Sequence, residues 1–206
     1  MAHMRIARRL FAGAAIVAAT ASCGDVIRGG RSPVLLVIDS LAGAPGGGHG
    51  AGQFSATLQS DVVVLLTSPA PCTPESACPT VFSDSGQVSL RLVPKDISIA
   101  PTSNNAVTIT RYHISFRRAD GRNTPGVDVP YGYDGAVTAT VSDTATIGFE
   151  LIRHVTKEEP PLAQLAFNPS IIHTIAVITF YGSDLVGNAV TATGNMSIEF
   201  GNFGDS

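Results

Sequence analysis

The stretch Tyr181–Phe200, YGSDLVGNAVTATGNMSIEF, decides the fold. Val190, Ala192, Met196, Ile198 and Phe200 share one face of an extended chain, with Thr191, Thr193, Asn195, Ser197 and Glu199 opposite. Strict alternation of this kind is the mark of a strand with one buried face. Directly before it stands Asp184-Leu185-Val186-Gly187-Asn188. An aspartate here can cap a turn with its carboxylate, glycine accepts a positive φ, and asparagine tolerates the left-handed region before the strand resumes. The segment therefore reads as a turn and the return strand of a C-terminal hairpin.

Working upstream, Ile171–Tyr181 is apolar on both faces, which fits a central strand or one side of a tight inter-sheet core. Period-two patterns recur before it. Ala145, Ile147, Phe149 and Leu151 form one set, and Val137, Ala139 and Val141 another. Tyr112, Ile114 and Phe116 lie opposite Arg111, His113, Ser115 and Arg117, and Val88, Leu90 and Leu92 alternate with Gln87, Ser89 and Arg91. Phe54, Ala56 and Leu58 alternate with Ser55, Thr57 and Gln59, with Val62–Leu66 as a further buried run, and Val34–Ile38 reads as the first strand. One short helix is expected after Pro161 within EEPPLAQLAF, residues 158–167, and the glycine-rich 42–52 segment is expected to be a mobile loop. About eight strands without a long helical period predict an all-β protein, an antiparallel sandwich with long loops.

The chain begins MAHMRIARRLFAGAAIVAATASC. Arg5, Arg8 and Arg9 precede an apolar run from Leu10 to Ala19 and a zone of small residues, the three parts of an export signal. The run is shorter than the ~20 apolar residues that span a bilayer. Cys23 directly after Ala21 and Ser22 resembles a bacterial lipobox, with Thr20 where a larger aliphatic residue is usual; the resemblance implies a lipid on Cys23. Arg8-Arg9-Leu10-Phe11 is similar to the core of a twin-arginine signal. The expected organisation is a signal peptide at 1–22, a flexible tether at 23–33 and one domain at 34–206. Setting Cys23 aside leaves Cys72 and Cys78, an even pair suited to one disulfide in an oxidising compartment. A two-cysteine metal site would need tighter spacing and paired histidines.

The D-x-x-G-N turn at Asp184–Asn188, followed by Val190 and Thr191, resembles the turn between the last two strands of bacterial immunoglobulin-like and fibronectin type III-like domains. The match covers about 25 residues, His173 to Phe200, and bears on fold rather than function. Taken whole, the chain resembles a bacterial lipoprotein with one embellished immunoglobulin-like β-sandwich.

Loss of the leader would remove three of the 13 basic residues and none of the 16 acids, taking the formal net charge from −3 to −6. An acidic surface does not suit nucleic acid, so no nucleic-acid partner is expected. The chain carries no G-x-S-x-G elbow, S-x-x-K, H-E-x-x-H or G-x-x-x-x-G-K sequence. GGGHGA, 46–51, spells a degenerate nucleotide motif, but a strand pattern follows where a helix is needed. His113 is expected to face solvent, His154 and His173 to sit in the core, and His49 to lie loose in its glycine loop. No catalytic residue, cofactor or metal site is assigned.

The loop ADGRNTPGVDVPYGYDGA, 119–136, is the candidate recognition surface, with Asp120, Arg122, Asp128, Tyr131, Tyr133 and Asp134 as its contact residues. Loops on a rigid sandwich carry recognition, and tyrosines give contact area at low entropic cost. Its three acids lack the alternating oxygens of a calcium loop. The expected function is a non-enzymatic, lipid-anchored envelope or cell-surface protein, facing the periplasm or exterior, that binds an envelope or extracellular protein. One alternative is a carbohydrate-binding module using Tyr131 and Tyr133 as the sugar platform, which the absence of tryptophan disfavours. The other is an assembly subunit whose Val34–Ile38 segment pairs with a neighbour's sheet edge.

Overall fold

In the structure, a computed structural model, residues 30–98 and 103–204 are described. The expected signal peptide, Cys23 and the tether up to residue 29 lie outside the described residues.

Among the described residues ten strands form: β1 Val34–Ala44, β2 Thr57–Asp61, β3 Val64–Leu66, β4 Cys78–Thr80, β5 Asp84–Pro94, β6 Val107–Arg117, β7 Tyr133–Val141, β8 Thr144–Ile152, β9 Ile172–Asp184 and β10 Ala189–Gly201. They build a three-stranded sheet, β1-β5-β8, a five-stranded sheet, β2-β10-β9-β6-β7, and a small β3-β4 hairpin. The alternating apolar positions are the buried ones. Val88 and Leu90 of β5, Ile109 and Ile114 of β6, Leu151 of β8, and Ile198 and Phe200 of β10 are fully buried. β9 lies between β10 and β6, the interior position its apolar sequence predicts.

The two larger sheets face each other across one aromatic centre. Phe149 of β8 meets Tyr112 of β6 at 5.2 Å and Phe180 of β9 at 5.3 Å between ring centroids, both edge to face. Edge-to-face pairs set positive ring edges against negative faces and contribute about 1 kcal/mol beyond burial. The Tyr112 hydroxyl stays satisfied in this dry setting by donating to the Glu150 carbonyl at 3.0 Å, and burial pushes its pKa up.

Strand register separates the molecule into two ends. At one end lie Gly30–Pro33, the segment after Pro94, the β7–β8 turn at Ser142 and Asp143, and the β9–β10 turn, since Val34 pairs with Pro94 and Val107 with both Val141 and Asp184. At the other lie the loops 45–56, 62–83, 118–132 and 153–171. The first end has the chain's entry, two short turns and the 95–106 connection, and the second has the four long embellishments.

Four expectations are corrected. The five-stranded sheet is mixed, because β2 runs parallel to β10. The loop after β1 leaves at Gly43 and returns beside it at Ser55, where the two backbones exchange hydrogen bonds, so the chain resumes its former direction in the other sheet. β1 thus extends to Ala44, and β2 begins at Thr57 with Phe54 left half exposed. The 42–52 segment is also anchored, since the Gly46 N–H donates to the Asp84 carboxylate and the Gly52 N–H to the Pro45 carbonyl. The short helix expected after Pro161 is present as a 3-10 helix, Leu162–Phe167, that buries Leu162 and Leu165, and a further short helix, α1, His154–Glu158, precedes the diproline. Finally, His154 and His173 are exposed rather than core residues. His173 occupies the outer face of β9, where its Nδ1 lies 3.3 Å from the Glu199 carboxylate of β10.

Candidate functional site

The 118–132 connection between β6 and β7 is stiffened by its own side chains. The Asp120 carboxylate is gripped by Arg118, with Nη2 to Oδ2 at 2.6 Å, and by Arg122, with Nη2 to Oδ2 at 3.1 Å, and it also accepts the Arg122 backbone N–H. Arg118, followed by the Arg122 contacts, holds the Asp120 carboxyl far below the usual carboxylate range, so it is ionised at any ordinary pH. Asn123 accepts the Arg118 backbone N–H, closing the first turn.

The second half closes on Thr124. Its N–H donates to the Asp128 carboxylate, while its carbonyl accepts the N–H groups of Val127 and Asp128. Gly126 sits at φ +75°, the left-handed region that excludes most side chains, and an added Cβ would fall 2.2 Å from the Tyr131 hydroxyl. The Tyr131 ring therefore lies against Gly126 and is fixed from below, while Val129 is buried beneath the loop. Tyr131 is 54 % exposed and Val127 is 68 % exposed. Two apolar side chains thus stand in solvent on a backbone held by the loop's own hydrogen bonds.

The six candidate residues do not form one surface. Asp120 and Arg122 bind each other at the loop's near side, Asp128 serves as an internal cap, and Tyr131 faces outward. Tyr133 turns inward, with its hydroxyl donating to the Leu151 carbonyl and lying 3.4 Å from that of Glu150. Burial drives its pKa well above the usual phenol value. The Arg153 guanidinium stacks 4.0 Å above its ring. Asp134 belongs to another neighbourhood, the outer face of the five-stranded sheet, where it meets His113 at 3.2 Å and Arg111 at 3.5 Å. Arg111 in turn stacks 3.8 Å from the Tyr181 centroid. Tyr131 and Tyr133 consequently offer no paired aromatic platform.

Sequence reasoning missed the polar node that holds this end of the sandwich together. Lys157 of α1 and Asp84 of β5 form an ion pair at 2.8 Å with each side chain 1 % exposed. The Lys157 ammonium also donates to the Asp61 carbonyl at 2.8 Å. Asp84 accepts from the Ser60 hydroxyl at 2.6 Å and from the Gly46 N–H at 3.0 Å. One carboxylate and one ammonium thereby join β2, β5, α1 and the 45–56 loop. The Asp61 carboxylate accepts the N–H of Val63 at 3.3 Å and of Phe203 at 3.4 Å, tying the chain's last described segment to the same place. Such a pair fixes an arrangement more than it adds net stability, because desolvation of two ions offsets their attraction.

Cys72 and Cys78 form the expected disulfide, with Cα atoms 5.4 Å apart, at the mouth of the β3–β4 hairpin. Closing so short a loop contributes about 2 kcal/mol in the chain-entropy view. Among the described residues, no three His, Cys, Asp or Glu side chains gather to hold a metal ion, and no helix is long and apolar enough to cross a membrane.

These features define an all-β sandwich with a disulfide clip and one elaborated end. Comparison of the chain with known protein families and with curated proteins gave no match.

Proposed function

We propose that the chain is an exported, lipid-anchored envelope or cell-surface protein, without enzymatic activity, whose immunoglobulin-like sandwich binds another protein through its elaborated end. The strand order supports the immunoglobulin-like reading: β1, β5 and β8 correspond to the A, B and E strands of such domains, and β6, β9 and β10 to C, F and G, with β7 beside C. The leader and the cysteine after Ala-Ser support export and anchoring.

The observation that carries the binding role is the exposure of Val127 and Tyr131 on a loop already fixed by Asp120, Asp128 and Gly126. Binding through rigid aromatic and aliphatic side chains loses little conformational entropy, and such anchors dominate protein interfaces. Separation of Tyr131 from Tyr133 favours a protein partner over a sugar, which would stack across a broader aromatic surface. β1 pairs with β5 from Val34 to Ala44, so its own sheet already occupies the segment that strand exchange would have to free.

The test is crosslinking of the native protein in its own envelope, followed by mass spectrometry. A protein captured by the wild type and by Thr140→Ala, and lost with Tyr131→Ala plus Val127→Ser, is the expected result. Saturable turnover of an envelope substrate, abolished by changing specific polar residues, would overturn the reading.

A further inference from the structure

The elaborated end has an opposite number, and the chain enters there. The Lys95 ammonium donates to the Gly30 carbonyl at 2.8 Å, and the Lys95 N–H donates to the Pro33 carbonyl at 2.9 Å. Gly30, Ser32, Lys95, Ala189 and Thr191 line one shallow hollow, so the entering chain lies beside the β9–β10 turn. Ser32 also hydrogen-bonds Asp184, the capping residue of that turn. The entering segment, residues 30–33, is thus fastened to this end by contacts from two loops.

Three large apolar side chains project here without cover: Leu185 at 62 % exposure, Val186 at 80 % and Ile97 at 94 %. The turn's backbone does not need them apolar, because Asp184, Gly187 and Asn188 supply its geometry. The formal charges of the same end sum to −1, with Arg31 and Lys95 against Asp96, Asp143 and Asp184, the last turned inward to cap its own turn. An apolar-tipped end with so little net charge fits the interfacial zone of a bilayer better than it fits a strongly charged partner.

We infer that this end of the sandwich sits against a lipid surface, with Leu185 and Val186, joined by Ile97, entering the headgroup boundary. The inference rests on the proposed anchoring at Cys23. Only six residues lie between Cys23 and Gly30, and the seven Cα steps from one to the other reach at most about 25 Å even fully extended. The strands run to 13 residues, or about 40 Å at strand rise, so a lipid on Cys23 keeps the entry end near the bilayer while the elaborated end stands farther off.

The experiment uses the full-length protein purified with its lipid and placed in phosphatidylcholine vesicles, its anchoring checked by intact mass. An environment-sensitive fluorophore is attached at Val186→Cys or, in a second sample, at Tyr131→Cys, with spin-labelled lipids as quenchers. The expected result is a blue-shifted probe at 186 whose quenching is several-fold stronger than at 131. Equal quenching at both sites in protein that carries the diacylglyceryl mass overturns this inference and leaves anchoring intact. A blue shift at 186 without lipid quenching marks a protein or second-copy occupant and also overturns it. Absence of the adduct overturns anchoring and this inference together.

Discussion

The two ends of the sandwich solve the same problem by different means. At the entry end, the β9–β10 turn is held locally: Asp184 accepts the N–H groups of Val186 and Asn188 and the Asn188 side-chain amide, all within four residues. At the elaborated end, loops of up to 22 residues, 62–83, are held by an ion pair between residues 73 apart in sequence. Local capping suffices when a turn is short, because few backbone groups need partners and little loop entropy must be overcome. Long connections bury backbone and polar groups far from any neighbour in sequence, and a charge that reaches several elements at once satisfies them together.

The largest expected effect breaks the non-local side of that contrast. Lys157→Met leaves the Asp84 carboxylate buried and uncompensated, and is expected to cost about 3–5 kcal/mol in urea denaturation. Hydrogen exchange should accelerate in 45–56 and 153–167 while the 184–190 turn keeps its protection. Adding Asp84→Asn should restore part of the loss, since asparagine retains an acceptor for the Gly46 N–H. A uniform loss of protection at both ends would contradict the separation of the two.

The local side is tested by Asp184→Ala, which strips several donors of their acceptor and is expected to cost about 2–3 kcal/mol, with faster exchange confined to the turn and the Ser32 region. Burial by itself would push the Asp184 carboxyl up, but bonds from Asn188, Ser32 and Val186 together outweigh it and hold the pKa below its ordinary value. A lowered folded pKa means that this contribution is fully present above the ordinary carboxylate pKa and is lost as pH falls through the folded value. The wild type should therefore lose more stability than Asp184→Asn between about pH 7 and about pH 3. Equal pH dependence would show that the Asp184 charge does not hold the turn.

Reduction of Cys72–Cys78 should lower stability by about 2 kcal/mol or less, read as a shift in the thermal midpoint of the purified protein with and without reductant. Tyr133→Phe should cost about 1 kcal/mol, the loss of one hydrogen bond to the β8 backbone. If Tyr133→Phe abolished partner capture while stability changed this little, the inward placement of that side chain would be contradicted.

What could be read from sequence follows the same division between local and distant. The hairpin at Asp184–Asn188 was legible because its turn chemistry and its alternating strand lie within 20 residues. The buried faces of β5, β6, β8 and β10 followed from period-two patterns alone. The parallel β2–β10 pairing did not, since nothing in 42–56 states that the chain will return beside Gly43 and continue in its former direction. His173 was misplaced because β9 is apolar on its outer face as well, so alternation could not say which side was dry. Lys157 was invisible for a sharper reason. In TKEEPP it has the appearance of a solvated charge, α1 is too short to show a helical period, and its partner Asp84 lies in a strand start that reads as an ordinary turn aspartate. The one available signal was scarcity: Lys95 and Lys157 are the chain's only lysines. The six residues of the 119–136 loop were scattered for a related reason, because the strand period resumes at Tyr133 and sends alternate side chains to opposite faces.

The most direct test places a photo-crosslinking amino acid at position 131 in one sample and at position 186 in another, with the protein expressed in its native envelope. A discrete protein adduct is expected from 131 and lipid adducts from 186. Lipid adducts from 131, or the same protein adduct from both positions, would contradict the assignment of different tasks to the two ends.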